Sequence, residues 1–101
     1  MALVISSSVR EKLNNKQPPV TQEEIEQCFA NRSGKFLIDT GADNLTNPIT
    51  RWFVSETDYG RKLKVCFVPF ANGEIHVKTA YDPNEKELRI YADYGENHGN
   101  D

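Results

Sequence analysis

Apolar and polar residues alternate with a period of two along three segments of the chain, at residues 50–56, 62–70 and 74–81. This period is typical of β-strands that bury one face. Asn72-Gly73, between the last two segments, is one of the strongest short-range signals for a tight hairpin turn. A shorter apolar stretch at residues 36–39 precedes them. The pattern therefore predicts four consecutive antiparallel strands.

A different spacing predicts a helix over residues 22–31. There Ile25, Cys28 and Phe29 lie three and four positions apart and form one apolar stripe. Thr21 and Glu24 match a capping box, in which each residue's side chain satisfies the other's backbone N–H at the start of a helix. This segment therefore predicts an amphipathic helix that begins after Thr21.

Two weaker helical patterns flank these elements. Residues 7–13 place Val9 and Leu13 four apart, and consecutive prolines at 18 and 19 end any helix before the next one starts. After a turn at residues 82–84, Leu88 and Tyr91 lie three apart in a closing helix. The predicted order is two helices, a four-stranded antiparallel meander and a C-terminal helix. Such segregation is typical of an α+β domain with its helices on one face of the sheet.

The length of 101 residues suits one domain with a single core. We expect this domain to span residues 1–95, with a mobile loop at 41–48 and a disordered polar tail at 96–101. No apolar run approaches the roughly 20 residues that a membrane span needs. The first apolar stretch is also too short for a signal peptide.

The net charge and the two cysteines indicate which partners and which cellular compartment the protein is expected to have. The net charge of −3 argues against a general nucleic-acid binder of the histone kind. Cys28 and Cys66 fall inside a predicted helix and a predicted strand, where cysteine is often a small buried hydrophobe. Free thiols are therefore favoured over a disulfide, and with them a reducing, cytoplasmic compartment.

Cations cluster on the predicted hairpin despite the acidic balance of the chain. Lys62 and Lys64 share one side of its first strand, and His76 and Lys78 share one side of its second. Pairing across the hairpin can bring Lys64 close to His76 and Lys78. This row predicts either a site for an anion or a solvated polar face, and the pattern leaves both open.

Three motifs distributed over residues 12–94 resemble those of a known family. They are Lys16-Gln17-Pro18-Pro19-Val20-Thr21 with Glu23-Glu24-Ile25, then Arg61-Lys62-Leu63-Lys64-Val65, and finally Val77-Lys78-Thr79-Ala80-Tyr81 with Glu87-Leu88-Arg89 and Tyr91. In this order they are similar to motifs of the BrnT-like toxins of bacterial type II toxin–antitoxin systems. Two positions depart from the family pattern. Tyr81 stands where the family has an arginine, and Lys16-Gln17-Pro18-Pro19 replaces its Lys-His-Gly.

The resemblance implies a RelE-like fold, related to the RelE and ParE toxins, and metal-independent RNA cleavage without a cofactor. Such cleavage needs a base for the 2′-hydroxyl, cations for the phosphorane oxygens and an acid for the leaving oxygen. The expected catalytic residues are Arg61, His76, Lys78 and Tyr81. The residues expected to bind phosphate or RNA are Lys62, Lys64, Arg51 and Arg89. The implied partners are RNA, which can be ribosome-associated, and a cognate antitoxin-like protein, with no membrane partner and no metal.

Other interpretations of the same residues stay open. A non-catalytic interaction module can use the cationic face to dock an acidic partner protein. Arg61 can equally form a simple ion pair with Asp58 or Glu56. Sequences similar to this one also carry the label ADP-ribosyl-(dinitrogen reductase) hydrolase, but the aspartates here are scattered and predict no cluster for paired magnesium ions. Two histidines and two separated cysteines likewise give no zinc-ligand spacing.

Overall fold

Five strands form one sheet at the centre of the fold. In the computed structural model, which describes residues 2–40 and 48–96, they are β1 (Ala2–Val4), β2 (Leu37–Ile38), β3 (Arg51–Glu56), β4 (Lys62–Pro69) and β5 (Glu74–Tyr81). Their order across the sheet is β1-β5-β4-β3-β2. The helices are α1 (Ser7–Asn14), α2 (Gln22–Asn31) and α3 (Glu85–Tyr91), and α3 runs on into a π-helical turn at Ala92–Glu96. The predicted α+β class is confirmed.

The sheet is mixed, so the prediction of a purely antiparallel four-stranded sheet is wrong. β2, β3, β4 and β5 are antiparallel neighbours as predicted, but β1 adds parallel to the outer edge of β5. Its three residues pair with residues 74–76. Three residues are too few to establish a period, so the pattern of the sequence does not reveal this strand.

A β-bulge in β5 reverses the alternation within the predicted cationic row. Lys78 is the extra residue at the point where the register between β4 and β5 shifts. Beyond the bulge, Ala80 lies opposite Val65 and is fully buried. Strict alternation would put Ala80 on the side of His76, but one extra residue moves every later side chain to the other face.

An aromatic cluster fills the face of the sheet that α1 and α2 cover. Phe29 of α2 and Phe36 pack against Phe53 of β3 and Phe67 of β4, with ring centroids 4.7 to 6.1 Å apart. The rings meet edge-on or tilted, and such pairs contribute roughly 0.5–1.5 kcal/mol each beyond the area they bury. The capping box predicted for the start of α2 is formed as expected.

The opposite face of the sheet carries α3. Trp52 and Lys64 point away from the side of Phe53, since successive residues of a strand alternate. The Trp52 ring lies 5.7 Å from that of Tyr91 in α3, and Lys64 bonds to Glu87 of the same helix. Helices therefore lie on both faces, and the expectation that they all share one is wrong. The short turn after β5 leads α3 directly onto the second face.

Two glycines allow Tyr91 to join the end of α3 to the segment that precedes β2. A Cβ atom on Gly34 would lie 2.5 Å from the Tyr91 hydroxyl oxygen, and one on Gly95 would lie 2.4 Å from Tyr91 Cε1. The Tyr91 hydroxyl donates to the Lys35 carbonyl oxygen at 2.8 Å. The Lys35 N–H in turn donates to the Gly95 carbonyl oxygen at 3.1 Å. These contacts position one wall of the groove described below.

Two predicted segments fall largely outside the described residues. They are the loop at 41–48, of which only Pro48 is described, and the tail at 96–101, of which only Glu96 is described. Along the described ranges, no helix is both long enough and apolar enough to cross a membrane.

Candidate functional site

Arg61, which precedes β4, uses every nitrogen of its guanidinium within the chain. Nε and Nη2 donate to Asp82 at 3.2 and 2.6 Å. Nη1 donates to both carboxylate oxygens of Glu24 at 3.2 Å. The backbone carbonyl oxygens of Pro19 and Pro18 accept from Nη1 and Nη2 at 2.7 and 2.8 Å. One side chain therefore connects the start of β4 to α2, to the loop before α2 and to the end of β5.

Arg61 forms ion pairs, but with other residues than expected. Its ion-pair partners are Asp82 and Glu24, not the Asp58 or Glu56 that sequence proximity suggests. The hydrogen bond to Asp82, helped by that to Glu24, raises the pKa of Arg61 against the opposing effect of burial. The guanidinium fork, whose geometry suits carboxylates and phosphates alike, is thus filled by carboxylates of the chain itself.

A second group of side chains surrounds Tyr81, and we call it the Tyr81 cluster: Lys16, Trp52, Lys64, Tyr81 and Glu87. Lys64 and Tyr81 are cross-strand partners, and both donate to Glu87 Oε2, at 2.9 and 2.6 Å. The Lys64 ammonium lies 4.5 Å from the centroid of the Trp52 ring and 5.7 Å from that of Tyr81. The Lys16 ammonium lies 5.5 Å from the Tyr81 ring. The cluster thus joins two cations, two aromatic faces and one carboxylate.

The protonation states of the cluster follow from these contacts. Burial opposes the charge on Lys64, but the hydrogen bond to Glu87, together with the effects of Cys66 and Tyr81, raises the pKa of Lys64. Burial also works against the charge of Glu87, yet the hydrogen bonds from Tyr81 and Lys64 lower its pKa. Burial and the bond to Glu87 raise the pKa of Tyr81. Each group is therefore held further from exchanging a proton near pH 7, which general acid–base catalysis requires.

His76 lies far from the Tyr81 cluster. It sits opposite Val68, four residues along β4 from Lys64, which corresponds to about 13 Å of strand. Its Nε2 is 3.0 Å from Glu74 Oε1, and its ring packs 4.3 Å from that of Phe70. The expectation that the hairpin brings His76 close to Lys64 is therefore wrong, because the register places Tyr81 there instead.

Lys78 and Arg51 belong to neither group. Lys78 occupies the bulge between His76 and Tyr81. Arg51 begins β3 opposite Phe67, next to β2 and half-buried. The four predicted catalytic residues are thus distributed along the hairpin and do not converge on one position.

A groove of about 840 Å³ opens beside β3, between the end of α2 and α3, and we call it the β3-edge groove. Lys62 and Arg89, two of the residues predicted to bind phosphate, line it. Neither side chain forms an ion pair or a hydrogen bond with another described residue. The carboxylates of Glu56, Asp58 and Glu96 line the groove as well. The structure thus brings Lys62 and Arg89 together in a place separate from Lys64 and Tyr81.

Sequence reasoning missed Glu87, the residue that organises the Tyr81 cluster. Its signal is the spacing Asn84-x-x-Glu87, a second capping box at the start of α3. Oε1 of Glu87 accepts the Asn84 N–H at 3.0 Å, which leaves Oε2 to hold Lys64 and Tyr81. A carboxylate fixed in this way just after β5 can be inferred to lie near the end of that strand.

The two cysteines lie in separate elements, α2 and β4. Both thiols are buried and free, as predicted, and burial raises the pKa of Cys66 to about 11. Cys66 lies opposite Thr79, so His76 is not its cross-strand neighbour. Over residues 2–40 and 48–96, no three His, Cys, Asp or Glu side chains come together in an arrangement that could hold a metal ion.

Comparison of the chain with protein-family models, with curated proteins and with solved structures gives no match.

Proposed function

We propose that this protein is a non-catalytic binding module on a RelE-like scaffold of the BrnT type, and that it holds an acidic segment of a partner protein in the β3-edge groove. The observation that carries this proposal is the division of the cations into two groups. Arg61 and Lys64 are neutralised by carboxylates of the chain itself. Lys62 and Arg89 instead line an open groove, without an ion pair to another described residue.

A catalytic role fits this arrangement poorly. Cleavage of RNA without a metal needs a base, an acid and cations within reach of one phosphate. Lys64 and Tyr81 have raised pKa values and Glu87 a lowered one, so none of the three is tuned to exchange a proton at neutral pH. The remaining candidate for acid or base, His76, lies about 13 Å away along the sheet.

The charge distribution of the groove favours a protein over RNA. Glu56, Asp58 and Glu96 stand in the same groove as the two cations, and the chain carries a net charge of −3. A phosphate backbone, with its regular charges, would meet these carboxylates as well as the cations. A polypeptide can place single acidic side chains at Lys62 and Arg89 and uncharged residues elsewhere.

Co-expression with the reading frames that flank the gene tests this function. The full chain is purified by an affinity tag as wild type, as the double variant Lys62→Glu plus Arg89→Glu, and as the control Lys12→Glu plus Lys86→Glu. The control changes the net charge equally at two exposed residues that do not line the groove. We expect a partner to co-purify with wild type and control, in a salt-sensitive manner, and to be lost from the groove variant. Equal retention by all three proteins contradicts the proposal.

Toxin-like RNA cleavage is the second candidate, and one observation favours it. Residues of all three motifs that carry the resemblance to BrnT-like toxins meet at one place, since Lys16, Lys64 and Tyr81 all belong to the Tyr81 cluster. Purified protein incubated with total RNA tests this candidate. Cleavage by the wild type that is lost in Lys64→Ala and Tyr81→Phe, but kept in Lys62→Ala, would establish a ribonuclease and displace the binding module.

A further inference from the structure

The bonding direction of β3 can be followed residue by residue. The Thr57 N–H donates to the Arg61 carbonyl oxygen, so the odd-numbered residues of this strand bond towards β4. The Thr50 carbonyl oxygen accepts from Asp39, and the Glu56 carbonyl oxygen accepts from the Asn31 side chain, both on the side away from β4. Val54 lies between them in an unbroken register. Its backbone N–H and C=O therefore point to the outer edge of the sheet.

The strand that should cover this edge turns away before it reaches Val54. β2 pairs with β3 at two positions only, Leu37 with Trp52 and Ile38 with Arg51. Continuing this register would place Lys35 opposite Val54. The backbone of Lys35 is engaged elsewhere, because its N–H donates to the Gly95 carbonyl oxygen and its C=O accepts from the Tyr91 hydroxyl. Beyond Trp52, the described part of the chain thus gives the outer edge of β3 no strand partner.

The uncovered edge forms the floor of the β3-edge groove, which Val54, Ser55 and Glu56 line. The Ser55 hydroxyl is buried, and no hydrogen-bond partner for it is found among the described residues. A buried hydroxyl without a partner costs roughly as much as a lost hydrogen bond. The backbone N–H and C=O of Val54 are what an added strand would meet in this position.

We infer that the β3-edge groove takes an extended polypeptide segment of the partner as an additional strand, with its backbone paired to Val54. This inference rests on the proposed binding function and specifies how the partner is held. Strand addition draws its affinity from main-chain hydrogen bonds and its specificity from alternate side chains. Lys62 and Arg89 line the same groove, so the segment carries an acidic side chain on the side that faces them. The Asn31 amide at the Glu56 carbonyl limits pairing at that end.

The experiment uses 12-residue random peptides displayed on phage and selected on the full chain. The best peptide is synthesised, and its affinity is measured for wild type, Val54→Pro and Val54→Thr. Proline removes the N–H that faces the groove without removing a bond to β4, and threonine keeps that N–H with a similar shape. We expect at least tenfold weaker binding to Val54→Pro and a change of less than twofold for Val54→Thr. Denaturant unfolding followed by Trp52 fluorescence verifies that both variants are folded.

A second measurement does not depend on the proline variant. The peptide is methylated at one backbone nitrogen at a time, and pairing as a strand predicts strong losses at alternate positions only. Equal binding of the peptide to wild type and Val54→Pro, uniform effects of methylation, or the absence of any selected peptide would each overturn the inference. If the co-purifying partner is lost from the Lys62→Glu plus Arg89→Glu variant but kept by Val54→Pro, strand addition fails and the binding function stands. If the peptide pairs at Val54 while the charge variant keeps its partner, the acidic docking fails and strand addition stands.

Discussion

The effect of Arg61→Ala on the free energy of unfolding distinguishes a guanidinium that stabilises the fold from one that only binds a ligand. The substitution removes ion pairs to Asp82 and Glu24 and leaves the carbonyl oxygens of Pro18 and Pro19 without their donors. The side chains of Arg61 and Glu24 are 17% and 25% exposed, whereas Asp82 is 55% exposed. The Glu24 side of this network is therefore the better shielded from solvent, and the Asp82 pair has to be discounted for screening.

The magnitude follows from these contacts. Hydrogen bonds to charged groups contribute about 1.5–3 kcal/mol when shielded, whereas exposed ion pairs contribute less than about 1 kcal/mol. One shielded pair and one screened pair lead us to expect a loss of about 2–3 kcal/mol in the free energy of unfolding for Arg61→Ala. For a domain of this size, such a loss lowers the Tm by roughly 10 °C or more. If Arg61 served only a phosphate, the change would stay within about 0.5 kcal/mol.

Urea unfolding followed by Trp52 fluorescence measures this difference, because Trp52 is the only tryptophan and is buried. Lys62→Ala is the matched control, since it removes a neighbouring cation that is exposed and bonds to no described residue. We expect Lys62→Ala to unfold within about 0.5 kcal/mol of the wild type. Equal losses for both variants, or an unchanged Arg61→Ala, would refute the assignment of Arg61 to the fold.

Three further predictions concern other parts of the structure. Folding lowers the pKa of Glu87, so the contribution of this carboxylate to stability is present above its unfolded pKa of about 4.3 and is lost as the pH falls through the lower folded value. Glu87→Gln should therefore flatten this part of a plot of unfolding free energy against pH. An unchanged slope would contradict the prediction. Gly95→Ala places a Cβ 2.4 Å from Tyr91 Cε1 and should lower the unfolding free energy by about 1–3 kcal/mol, a loss that calorimetry would show and an unchanged Tm would rule out. Burial raises the pKa of Cys66 to about 11 and that of Cys28 to about 12. Ellman's reagent at pH 8 should therefore react with the two thiols only after the chain is unfolded. Rapid reaction of the native protein would show an accessible thiol and contradict this expectation.

Much of the fold follows from local signals in the sequence. The α2 helix has both a capping box and an apolar stripe, and its observed bounds match the prediction. The β4–β5 hairpin follows from Asn72-Gly73, where Gly73 adopts a φ of +91° that side chains rarely allow. In these elements, the residues that decide the structure are neighbours in the chain. Their effect is therefore visible without knowledge of the tertiary contacts.

The parts that were predicted wrongly depend on contacts between distant residues. β1 is a strand only because the edge of β5 is available to it. The bulge at Lys78 moves Ala80 into the core, and no local signal marks the extra residue. The placement of α3 on the second face depends on Tyr91 meeting Trp52. The two-residue alternation along a strand shows which side chains share a face. It does not show which helix covers that face.

The candidate site shows the same limit for charges. Arg61, Lys62 and Lys64 lie within four positions of one another, and the sequence does not show which of them has a carboxylate partner in the fold. In the structure Arg61 reaches two carboxylates of distant segments, Lys64 reaches Glu87, and Lys62 lines the groove. The cations without a carboxylate partner among the described residues could therefore be identified only after the partners of Arg61 and Lys64 had been located.

Tyr81 sets the balance of charge in the Tyr81 cluster. Two ammonium groups, of Lys16 and Lys64, lie near its ring, and the single carboxylate of the cluster belongs to Glu87. A phenol at this position donates a hydrogen bond to Glu87 without adding a charge. An arginine in place of Tyr81 would put three cations around one carboxylate, and an anion such as phosphate would then help to balance them. With tyrosine, Glu87 faces only the two ammonium groups of Lys16 and Lys64, and the phenol adds a hydrogen bond in place of a third charge.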